Sequence, residues 1–219
     1  MDLRIKFLMD KTKRKILMSI DSMPTKSRVS YGKEKEDQII KCLNENYSDI
    51  GYNLIPGSFM EDCNEKTDCW QISASGKKLR SAIKARVSKN DILVAMRDPF
   101  YGNSHPETKI GRDIMYEYFQ YITLSQDGET IRVASGKIIH KICNQLWDEL
   151  MNDVGDIDMS EHPYNKARPI NLLKSKSRPG CELWLHYDRW KGQPKILGFI
   201  PPSVLKENKE IKYHKFIYS

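Results

Sequence analysis

Leu3, Phe7 and Leu8, then Ile16, Leu17 and Ile20, recur near every third and fourth residue, a spacing that predicts a basic amphipathic helix ending before Pro24. Residues 21–32 read as a loop or basic arm. From Lys33 onward Ile39, Ile40 and Leu43 form one stripe of a second helix. Glu36, three and four positions before the two isoleucines, stands on its core side.

Strand patterns follow. GYNLIPG supplies a short strand, TDCWQISASGKKLRSAIKARV reads as a hairpin turning at Ser75, Gly76 and Lys77, and DILVAM is a further strand. After a loop with Pro99, Gly102 and Pro106, alternation through Tyr118, Gln120, Ile122 and Leu124 predicts another. The best helix in the chain is GKIIHKICNQLWDELMNDV, where Ile138, Ile139, Ile142, Leu146 and Leu150 share a face. Next come an acidic loop and the basic linker NKARPINLLKSKSRPG. Strands at CELWLHYD, KILGFI and KYHKFIY follow, with PPSVLKE as a turn or short helix. The expected organisation is a basic N-terminal helix and arm (1–32), a central core (33–155) and a basic, β-rich C-terminal extension (156–219) on the same core.

At 219 residues the chain holds one large domain, or one domain with an appended segment. Disorder throughout is excluded by eleven Tyr, six Phe and four Trp. Five cysteines without a CxxC pair argue against a zinc site or a disulfide framework. No apolar run is long enough for a membrane span or signal peptide, so a reduced, cytoplasmic protein (host cytoplasm if viral) is expected.

Charge changes this picture. The net charge of +7 divides into +6 over residues 1–35, −7 over 36–165 and +8 over 166–219. Two basic ends around a carboxylate-rich middle suit a polyanionic partner, with phosphates held at the ends and chemistry in the centre. No membrane partner is expected, and a homodimer is left open.

The candidate chemistry rests on Glu36, Asp68 and Lys84. They are a glutamate on the inner side of a helix, an aspartate opening one hairpin strand and a lysine sixteen residues later in the returning strand. Two carboxylates and an ammonium suit metal-assisted phosphodiester hydrolysis. Mg²⁺ (or Mn²⁺) takes hard oxygen ligands and keeps waters for the reaction, and a lysine orients the water or offsets charge on phosphorus.

At these residues, in the pieces GKEKEDQII, TDCW and AIKAR, the chain resembles the PD-(D/E)XK nuclease superfamily over roughly residues 33–150. The resemblance implies an α/β (α+β) fold: a mixed central sheet flanked by helices, a restriction-endonuclease-like core here carrying the β-rich C-terminal extension. It also implies a Mg²⁺-dependent deoxyribonuclease acting on DNA, with Glu36 and Asp68 as metal ligands and Lys84 as the catalytic lysine. One position departs: the second acid of the family pattern is Ala82, for which Glu36, Asp62 or Asp91 is the substitute. Over its full length the chain also resembles phage-encoded endonucleases directed at cytosine-containing host DNA. Because of Ala82, the competing expectation is a catalytically inactive nuclease-fold protein that binds DNA or inhibits a host defence factor. An RNA-directed nuclease is a third reading.

Backbone contacts to nucleic acid are expected from Arg86, Lys77, Lys78, Lys13, Arg14 and Lys15. Trp70, Trp184 and the Tyr116, Tyr118 and Tyr121 group read as packing residues. His140 reads as a satisfied or exposed helix histidine, and His186 beside Asp188 lacks a nucleophile to serve.

Overall fold

The computed structural model describes residues 25–58, 60–61, 67–84, 91–97, 118–154, 169–188, 193–206 and 211–217. The helix expected within residues 3–20 lies outside them. The first described helix, α1 (Thr25–Asn46), begins earlier than the sequence pattern predicts, so the loop or arm expected over 21–32 is helical from Thr25. Gly32 made this stretch look like a break, yet a helix carries one glycine at a cost of about 1 kcal/mol. Side-chain pairs one turn apart then support α1: Lys33 with Asp37 at 3.7 Å, Lys41 with Glu45 at 3.9 Å, and Lys35 Nζ donating to Gln38 at 2.8 Å.

Among the described residues ten strands follow in two sheets. The first is six-stranded, in the order β1 (Leu54–Pro56), β2 (Cys69–Ile72), β3 (Lys78–Lys84), β5 (Gln120–Leu124), β6 (Thr130–Ser135), β10 (Ile211–Lys215). All its pairings are antiparallel except β3 with β5, which makes the sheet mixed. The second sheet runs β4 (Ile92–Arg97), β9 (Gln193–Ile200), β8 (Glu182–Asp188), β7 (Ile170–Lys174), all antiparallel. Two further α-helices, α2 (Gly136–Val154) and α3 (Pro202–Lys206), and a short 3-10 turn (Ser48–Ile50) complete the described elements. The class is mixed α+β, the coarse class that the resemblance implies.

Strand periodicity divides the core into two. On one face of the six-stranded sheet Ile83, Ile122, Ile131 and Val133 meet Ile39, Ile40 and Leu43 of α1. On the other, Ala82, Tyr121 and Ala134 join the α2 stripe of Ile139, Ile142, Leu146 and Leu150 and the inner face of the second sheet through Ile92, Val94, Leu183 and Ile196. A fully buried Ile or Leu contributes about 1.5–3 kcal/mol of transfer free energy, so these facing stripes fix which side each helix occupies.

Two strands escaped the sequence pattern. β7 lies inside the stretch that read as a linker, because Pro169 and the SKSRPG turn on either side masked a five-residue strand. β6 follows the strand before it after a short turn and runs directly into α2, so its alternation was absorbed by its neighbours. Residues 156–219 contribute to both sheets: β9 pairs with β4, and β10 pairs with β6.

Two glycines are dictated by close approach. A Cβ on Gly136, at the start of α2, would overlap the Tyr118 carbonyl, and one on Gly57 would overlap the Thr67 carbonyl. Gly57 N–H also donates to Asp68 O at 3.0 Å, which fixes the chain just ahead of β2.

Candidate functional site at the end of the β2–β3 hairpin

The hairpin register, from Cys69 opposite Ser81 to Ile72 opposite Lys78, brings Asp68 level with the last residues of β3. Backbone pairing with β2 ends at Cys69, and the Asp68 side chain continues it: Oδ2 accepts the Ile83 N–H at 2.6 Å. Backbone N–H groups of a strand lie in the sheet plane, so this carboxylate also lies there, bordering both faces. Lys84 Nζ stands 3.8 Å from the same oxygen. The two side chains are 13% and 26% exposed, which shields their attraction from solvent more than an open surface pair.

Glu36 stands on α1, the helix covering the Ile83 face, with Lys33 Nζ at 3.9 Å. Its charge and that of Asp68 both act on the Cys69 thiol, which burial first, and then these two carboxylates, push well above the ordinary thiol range. Asp68 and Lys84 are thus brought together, whereas Glu36 stands on the helix that covers the Ile83 face, the side of the sheet opposite the one Lys84 shares with Thr123 and Arg132.

Ala82 is fully buried in the core shared by α2 and the second sheet. The position that carries an acid in the nuclease pattern is thus a packing position in this chain. Of the substitutes, Asp62 lies outside the described residues. Asp91 is half-buried ahead of β4, and its field acts on Arg132 and Cys181. Among the described residues no group of three or more His, Cys, Asp or Glu is gathered as a metal cluster.

Sequence reading missed a polar row on the far face. Lys84, Thr123, Arg132 and Tyr213 are successive register partners across β3, β5, β6 and β10, so they share one face of the sheet. Arg132 is buried, and desolvation lowers its pKa while Tyr213, Asp127 and Asp91 oppose the fall. Thr123 Oγ1 is buried without a hydrogen-bond partner among the described residues. A charged residue between Ile131 and Val133 was the available signal, hidden because β6 itself was not recognised.

The basic candidates divide. Arg86, Lys13, Arg14 and Lys15 lie outside the described residues. Lys77 is exposed in the hairpin turn, and Lys78 opens β3 with its Nζ 5.8 Å from the Trp70 ring centre. Arg80 lies 5.6 Å from the same ring. Trp70 is half-buried rather than a core residue, and its Nε1 donates to Glu61 at 2.9 Å. Tyr118 and Tyr121 pack edge to face at 5.3 Å, both buried, in the packing role their strand predicts. His140 is half-buried on α2, and His186 lies in β8 opposite Lys195.

Comparison of the chain with family models, curated proteins and solved structures gives no match. No described helix is long and apolar enough to cross a membrane.

Proposed function

We propose that the chain is a divalent-metal-dependent endonuclease that hydrolyses DNA phosphodiester bonds. The observation that carries this reading is the Asp68–Lys84 contact at the end of the hairpin. The donor set suits Mg²⁺ or Mn²⁺, since both carboxylates offer hard oxygens and two protein ligands leave positions for water and phosphate. Asp68 and Glu36 would hold the ion, which supplies a bound water of lowered pKa and charge to offset that developing on the phosphate.

The chain's own groups do the rest. Asp68, fixed in plane by Ile83 N–H, presents a carboxylate oriented by backbone rather than by a rotamer. Lys84 places an ammonium beside it, where it holds a phosphate oxygen or orients the attacking water. The net +7 charge favours the polyanion, and cytoplasmic action on cytosine-containing host DNA follows from the resemblance to endonuclease IV of T-even phages.

A second reading has its own observation. Ala82 is core and Asp68 doubles as the ladder cap of β3, the pattern of a nuclease-fold protein that binds DNA, or inhibits a host defence factor, without cutting. Incubating the protein with plasmid in Mg²⁺, Mn²⁺ or EDTA separates the two. Metal-dependent nicking abolished by Asp68→Asn and Lys84→Gln supports the nuclease; salt-sensitive retention on a gel with intact plasmid selects the binder.

A further inference from the structure

Along β3, Lys78, Arg80, Ala82 and Lys84 point to one side of the sheet. Lys84 and Ala82 belong to the candidate centre and the core beneath it, while Lys78 and Arg80 continue the same face toward the hairpin turn. There the face is open. Lys78 is exposed, Arg80 and Trp70 are half-buried, and Ile55, the register partner of Trp70 on β1, is 47% exposed.

The open end is built rather than incidental. Trp70 and Arg80 are direct cross-strand partners, and both cations sit against the indole, at 5.6 Å for Arg80 and 5.8 Å for Lys78. Arg80 Nε is further fixed by donation to the fully buried Thr67 Oγ1 at 2.9 Å, and the indole N–H is fixed on Glu61. An aromatic floor held at both its edge and its face thus restrains two cations, with Lys77 in the adjoining turn as a third. Among the described residues Glu61 is the opposing charge to Lys77, Lys78 and Arg80.

We infer that Trp70, Lys78 and Arg80 form a subsite for the phosphate backbone of nucleic acid, on the strand flanking the linkage at Lys84. The location rests on the nuclease reading; the subsite itself does not. At about 3.3 Å per residue Arg80 lies about 13 Å from Lys84 and Lys78 about 20 Å. Lys78 and Arg80 hold phosphates, and Trp70 is a positioning residue that keeps the two cations on one line.

The test is salt-dependent binding of a fluorescent DNA duplex to the full chain in EDTA, where no cutting occurs. Each lost phosphate contact lowers the slope of log K against log salt by about 0.9, so Lys78→Ala and Arg80→Gln each bind with about 3–4-fold less salt sensitivity between 50 and 200 mM. Arg80→Lys and Trp70→Phe keep the parental slope, while Trp70→Ala lowers it. Lys78 is exposed, so its variant reads the subsite without risk to folding. Slopes for Lys78→Ala and Arg80→Gln equal to the parental one overturn the subsite, whether or not the parental protein cuts plasmid. Lowered slopes in a protein that never cuts uphold the subsite and remove the nuclease reading instead.

Discussion

Asp68 and Ile83 are joined by a hydrogen bond of 2.6 Å that replaces the next rung of the β2–β3 ladder with a side chain. The carboxylate is therefore both a strand-end cap and the ion-pair partner of Lys84, and the two roles separate by choice of substitution. Asp68→Ala leaves the Ile83 amide unpaired in a largely buried position and costs about 1–3 kcal/mol of stability. Asp68→Asn keeps an acceptor for that amide and removes only the charge. The expected result is near-parental urea unfolding for Asn, clear destabilisation for Ala, and loss of plasmid cutting in both.

Lys84 is the converse case, an ammonium paired with the Asp68 carboxylate. Its pairing with Asp68 is partly screened and worth about 1 kcal/mol or less to folding. Lys84→Gln is expected to unfold within about 1 kcal/mol of the parent yet lose metal-dependent cutting by at least an order of magnitude, the cost of one ammonium removed from a reacting phosphate. Cutting at the parental rate by a folded Lys84→Gln protein removes this residue from the chemistry.

The nuclease pattern would be completed by an acid at residue 82, and the structure predicts that writing it in fails. Ala82 is fully buried beside Tyr121 in the core shared with α2 and the second sheet, so Ala82→Glu buries a carboxylate in an apolar setting at a cost of about 3–5 kcal/mol. Thermal unfolding and cutting should both fall together. A stable and more active Ala82→Glu protein would show that this side chain faces the ion after all.

How much of this was legible depended on whether a residue's role was local. The α2 stripe from Ile138 to Leu150 and the Ser75–Lys77 turn announce themselves within a few residues, and both appear where periodicity places them. Asp68 and Lys84 were legible as a pair because an antiparallel register links them through sixteen residues of chain. The row of Lys84, Thr123, Arg132 and Tyr213 was not, because its members come from four strands whose order is set by a parallel crossover and by β10 near the end of the chain. Ala82 looked like a missing acid in the motif, whereas its burial is decided by α2 and the second sheet, which no short window contains.

Gly32 offers a test of α1 that is independent of the site. A Cβ there meets nothing within 4 Å, and its backbone is helical rather than left-handed. Gly32→Ala should therefore stabilise the protein by about 0.5–1 kcal/mol and raise helical circular dichroism. Gly136→Ala, which drives a methyl into the Tyr118 carbonyl, should instead prevent recovery of folded protein.

The pH dependence of folding should report one buried pair that ties the segment ahead of β1 to β10. Tyr52 Oη and His214 Nε2 are 2.8 Å apart, both residues are buried, and the Tyr47 ring lies 4.6 Å from the imidazole. Burial, with help from Lys212, lowers the His214 pKa below its ordinary 6.5, and burial pushes Tyr52 up to about 12. Below pH 6.5 the unfolded chain binds a proton at residue 214 that the folded one resists, so this pair's stability falls as pH falls through that range. Above pH 10 the unfolded tyrosine ionises first, so stability falls again as pH rises from 10 toward 12. Each limb has a slope of at most about 1.4 kcal/mol per pH unit. Urea unfolding from pH 4 to 11 should flatten on its acid side in His214→Gln and on its alkaline side in Tyr52→Phe. Unchanged slopes in both variants would mean that other groups titrate on folding and that this contact is only steric.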